Sequence, residues 1–169
     1  MTGPGPELQP SHVRAALEHI RQARPLPDDQ VWMELLQVRQ HLGDLKGGYA
    51  RLHAVRQALA SRLLVALGDA DLRSQSDTLN LLIADFAQEH SYRQNFSLLY
   101  YRFIRADLGL EMVRLAELVH YDRRTLQRRC NEGIQQLTFD LIGHEIQLRQ
   151  FGVVAGQNSE KSVVRFRNA

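Results

Sequence analysis

Along most of the chain, apolar residues recur three and four positions apart with polar residues between them, which is the period of an amphipathic helix. Val13, Ala16, Leu17 and Ile20 follow the helix-starting pair Pro10 and Ser11 and predict a short first helix that ARPLP stops. Val31, Trp32, Leu35, Leu36 and Leu42 form a second stripe after a cap at Asp28 or Asp29, and Gly43 ends it. A longer helix is predicted from about Tyr49 to Leu67, with Leu52, Val55, Leu59, Leu63 and Ala66 on one side and Gly68 closing it. The loop DADLRSQSD leads to Leu79, Leu82, Ile83 and Phe86; after a break near His90 and Ser91 come Phe96, Leu99, Tyr100, Phe103 and Ile104. No stretch before residue 150 sustains strand alternation, so the expected fold class is all-α. The triplet LGD occurs at 42–44 and 67–69, but neither spacing nor apolar pattern recurs around it, and a helical hairpin fits better than a solenoid. From Phe151, two β-branched runs flank a polar turn in FGVVAGQNSEKSVVRFRNA, which predicts a short irregular or hairpin tail, a wing or a linker.

Residues 95–137 read as three consecutive helices: NFSLLYYRFIRADLG, LEMVRLAELV and DRRTLQRRCNEGIQQL. That order is the helix-turn-helix plan, in which small Ala116 permits close approach of the next helix, and Leu115, Val119 and Leu126 supply the contact that sets the crossing. Asp122 is the predicted N-cap of the third helix. On a helical wheel Leu126, Cys130, Gly133, Leu137 and Leu141 share one face, while Arg124, Gln127, Arg128, Asn131 and Gln135 lie on or near the other. Arg, Gln and Asn make paired hydrogen bonds to base edges, so the outward face has the chemistry of a recognition helix. Arg123 and Arg129 flank it, where phosphates would lie.

The segment LLYYRFIRADLGLEMVRLAELVHYDRRTLQRRCNEGIQQL, at 98–137, resembles the helix-turn-helix of bacterial sigma factor region 4 and related regulators. The resemblance implies that Arg123, Arg124, Thr125, Gln127 and Arg128 face DNA and that Arg114 touches a backbone phosphate. Three positions depart from the pattern: His120 stands where the turn commonly has Gly, Tyr121 replaces a smaller aliphatic residue, and Arg129 occupies a site often apolar.

Charge sharpens this picture. The net charge is only +2, so any nucleic-acid signal is local, and residues 101–150 hold eight arginines against seven acids. Four or five phosphate contacts would give weak, salt-sensitive binding, which homodimerisation would reinforce. The single cysteine, Cys130, reads as a small buried hydrophobe. None of the seven histidines has metal-ligand spacing, and phosphate-loop, dinucleotide-binding and nucleophile-elbow motifs are missing, so no metal, cofactor or enzyme activity is expected. No run approaches the roughly 20 apolar residues of a membrane span, and the N-terminus lacks a secretory pattern, which predicts a cytoplasmic protein.

The resulting expectation is a flexible leader at 1–10, a helical bundle at 11–90, a helix-turn-helix domain at 92–150 and a tail at 151–169. Its function would be double-stranded DNA binding in bacterial transcriptional regulation. A protein-interaction or adaptor module, the N-terminal part of a larger signalling protein, is the alternative, and structured RNA is a further possible ligand of the same helix. An apolar patch on helices 11–22 or 30–42, with the arginines paired to acids, would favour the adaptor; a continuous positive surface centred on Arg124 and Arg128 would favour DNA.

Overall fold

The structure, a computed structural model, describes residues 7–167, and their side chains as far as Phe151. Among these residues every regular element is helical. Residues 1–6 of the expected leader lie outside the described residues; further along it, Leu8 is buried.

Helix α1 (Pro10–Arg21) starts on a proline, whose missing N–H is harmless in a first turn, and buries Val13, Ala16, Leu17 and Ile20. The stripe expected to form one helix at 30–42 is instead two, α2 (Gln30–Met33) and α3 (Leu36–Leu42), separated by an extended Leu35. The break turns Trp32, Leu35 and Val38 all into the core. Its physical cause lies far away in sequence: the buried Glu145 carboxylate accepts the N–H groups of Leu36 at 2.6 Å and Gln37 at 3.3 Å. An anionic acceptor there satisfies the free amides of a new helix start.

Helix α4 (Gly48–Leu67) runs as the periodicity predicts and buries Ala54, Val55, Ala58, Leu59, Leu63 and Leu67. The DADLRSQSD segment, expected as loop, contains a short helix α5 (Ala70–Gln75). Arg73 organises it. Its guanidinium is fully buried, pairs with both carboxylate oxygens of Asp85 at 2.7 and 3.1 Å, and donates to the Gly68 carbonyl at 2.9 Å.

Helix α6 (Asn80–Ala87) carries Asp85, and α7 (Ser91–Leu99) carries Arg93, which donates to the same carboxylate at 2.8 Å and to the Leu67 carbonyl at 2.8 Å. Helix α7 then widens into a π-helical turn, Tyr100–Ile104, closed by the Arg105 N–H donating to the Tyr100 carbonyl at 2.9 Å. Arg105 folds back on α5, donating to the carbonyls of Arg73 at 2.7 Å and Ser76 at 2.8 Å. This network ties α4, α5, α6 and α7 to the chain leading into α8 (Met112–Val119).

Helix α9 (Arg123–Arg167) is the axis of the molecule and packs against α1, α3, α4, α7 and α8. Gly133 makes the α7 contact close: a Cβ there would stand 3.1 Å from Leu99 Cδ1 and 3.2 Å from the Asn95 carbonyl. One apolar core runs from Leu8 to Leu141. The tail expected to be irregular or a hairpin is a continuation of α9, helical as far as Arg167. Extending an existing helix adds one hydrogen bond per residue without a new nucleus, whereas an isolated hairpin is marginal in water.

Candidate nucleic-acid interface

Helix α8 ends at His120, which takes the left-handed conformation with φ 58° and ψ 41°. The Tyr121 N–H donates to the Ala116 carbonyl at 3.2 Å, the six-residue closure of a Schellman turn. Histidine thus supplies at this turn what glycine would supply with less strain. Tyr121 is half-buried and meets Phe86 of α6 edge-on, with ring centroids 5.5 Å apart. A small aliphatic residue would forfeit that contact, which accounts for the larger side chain.

Asp122 caps α9. Its Oδ1 accepts the Thr125 N–H at 3.0 Å, and its Oδ2 accepts the Thr125 hydroxyl at 2.6 Å. Those hydrogen bonds, the hydroxyl's first, hold the exposed Asp122 carboxyl below the usual carboxylate range. Thr125 is half-buried, and its hydroxyl proton is committed to this cap.

Leu126, Cys130, Ile134, Leu137 and Leu141 pin one side of α9 in the core. Burial pushes the Cys130 thiol up, so it stays a protonated, apolar-packed group. On the opposite side of the first two turns, Arg123, Arg124, Gln127 and Arg128 are exposed. Arg128 has only a loose neighbour in Glu132, at 3.9 Å, a separation at which exposed charges contribute little.

The other three predicted residues are placed differently. Arg114 on α8 is exposed, with its guanidinium 3.5 Å from Glu117. Arg129 is half-buried, with its Nε shielded from solvent, so only part of that guanidinium is accessible for a phosphate. Asn131 is half-buried, and its Oδ1 accepts a hydrogen bond from Arg14 of α1 at 2.9 Å, which leaves its Nδ2 donors but engages its acceptor. Arg14 is the residue that sequence reasoning missed: it sits 117 positions away, and nothing in its local pattern marks it. With Arg14 beside Asn131, α1 adds an exposed cation next to the α9 arginines.

Chemically, this is a surface of fixed cations and an amide on a rigid helix end, able to meet phosphates and base edges. Among the described residues no group of His, Cys, Asp or Glu is arranged to hold a metal ion, and no helix is long and apolar enough to cross a membrane. No family model, curated protein or solved structure matches the chain.

Proposed function

We propose that the protein binds double-stranded DNA sequence-specifically as a bacterial transcriptional regulator, with α8 and α9 acting as a helix-turn-helix like that of sigma factor region 4. In this reading the first turns of α9 enter the major groove. Arg124, Gln127 and Arg128 read base edges, while Arg123, Arg114 and the accessible part of Arg129 hold phosphates.

The observation that carries the reading is the exposure of Arg123, Arg124, Gln127 and Arg128 together on one end of a helix whose other side is locked in the core. A rigid scaffold keeps such donors in register with a groove. Thr125 takes a lesser part than its position suggests, because its hydroxyl is tied to Asp122.

Selection from a randomised duplex library tests the proposal. Wild-type protein should enrich a defined site, Gln127→Ala should relax preference at one position, and Arg123→Ala should weaken all sequences alike. A library that emerges unenriched with the wild type overturns sequence-specific binding.

A further inference from the structure

The outward face of α9 is tied to α1 through one amide. The Arg14 guanidinium donates to Asn131 Oδ1 at 2.9 Å, across 117 positions of chain. Gln127, one helical turn before Asn131, turns its Nε2 towards the same oxygen at 3.5 Å. The acid of α1, Glu18, is paired with Arg21 at 3.4 Å and leaves Arg14 to Asn131.

Donor chemistry fixes how these groups are turned. A guanidinium can only donate, so the Asn131 amide must present its oxygen to Arg14. An oxygen in that place can receive Gln127 only through its NH2. Gln127 is exposed, and with its NH2 directed along the helix its Oε1 is left to the solvent. A free glutamine would offer a base edge one donor and one acceptor, the combination that selects adenine. Held in this way, Gln127 offers the acceptor alone.

We infer that the Arg14 and Asn131 pair positions Gln127 to select a base with an exocyclic amino group in the major groove, adenine or cytosine, against guanine and thymine. The inference rests on the DNA reading above and specifies one position of its site. Adenine N6 and cytosine N4 donate into the groove, whereas guanine O6 and N7 and thymine O4 set lone pairs against the Gln127 oxygen. Arg14 and Asn131 act through Gln127 and need touch no base. Where the duplex displaces water, both hydrogen bonds of this chain count for more than at the free surface. One hydrogen bond made or left unmade corresponds to about threefold to tenfold in affinity.

The test uses four duplexes that differ only at the position whose preference Gln127→Ala relaxes in library selection. Wild type should favour adenine and cytosine on one strand there, each by about threefold to tenfold over guanine and thymine. Gln127→Glu, which carries acceptors only, should keep that grouping at lower overall affinity. Arg14→Met, with an unchanged far-ultraviolet spectrum, should free Gln127 to use donor and acceptor together, so that adenine gains on cytosine by about threefold or more. An Arg14 that merely held a phosphate would, when lost, weaken all four duplexes alike. In the free protein, Arg14→Met should also shift the side-chain amide signals of Gln127 in a proton–nitrogen NMR spectrum. A single favoured base or a different grouping in wild type, no position sensitive to Gln127→Ala, or a ranking that Arg14→Met leaves unchanged overturns the inference and leaves DNA binding standing. A wild type that enriches no site removes both. Gln127 amide signals unmoved by Arg14→Met overturn the inference whatever the DNA result.

Discussion

Replacing Asp85 by alanine should be the most damaging single polar substitution in the fold. The Asp85 and Arg73 side chains are 2% and 0% exposed, and the carboxylate also receives Arg93. Alanine would leave Arg73 charged and buried without its carboxylate partner, while Arg93, partly exposed, can turn to water. Breaking a buried pair by removing one partner costs about 3–5 kcal/mol, a large fraction of the roughly 5–15 kcal/mol of a whole domain. For a chain of this length, that corresponds to a fall in Tm of about 6–20 °C. Urea unfolding followed by circular dichroism measures the loss directly through the transition midpoint. The double variant Arg73→Met, Asp85→Leu, which removes both charges, should recover most of the loss, because apolar side chains of similar size need no partner. An Asp85→Ala protein within about 1 kcal/mol of wild type, or a double variant no more stable than the single one, would refute the assignment of this network as a desolvated ion pair.

Glu145→Ala should cost about 2–4 kcal/mol in the same urea experiment, since it removes a charged acceptor from the Leu36 and Gln37 amides, the Gln37 side chain and Arg149. His120→Gly should raise stability by up to about 1 kcal/mol, as glycine takes the left-handed conformation without a Cβ penalty, and thermal unfolding would register it. Asp122 has its folded-state pKa depressed, so its contribution is present above the unfolded carboxyl value of about 3.9 and disappears as pH falls through the lower folded value. Asp122→Ala should therefore lower Tm at neutral pH and lose less stability than wild type below about pH 4, which a Tm series against pH would reveal.

What could be read from the sequence was what local periodicity and local caps determine. Helices α1 and α4, their ends at Gly43 and Gly68 for α3 and α4, and the buried face of α9 through Leu126, Cys130 and Leu137 all follow from spacing alone. The Asp122 cap was equally legible, because an N-cap acts across only three residues. The split between α2 and α3 was not, since its cause is Glu145, 109 positions from Leu36. Nor was α5, where a polar run reads as loop until Asp85 pairs with Arg73. At the interface, the wheel separated outward from inward residues in the first turns, but it could not reveal that α1 sends Arg14 to Asn131. The same blindness to neighbours hid the commitment of the Thr125 hydroxyl to Asp122, although that pair lies three residues apart.

The most direct test of the central claim is the salt dependence of duplex DNA binding by wild type and by an Arg114→Ala, Arg123→Ala variant, which removes two of the proposed phosphate contacts. Both arginines are exposed and far from the core, so their loss should leave the fold intact. If the α8–α9 unit meets DNA as proposed, log affinity falls linearly with log salt at a slope of about −3 for wild type, and the variant's slope is shallower by about 2. Equal slopes for the two proteins, or no binding by wild type even at about 50 mM salt, would contradict the account and turn attention to a protein partner for this face.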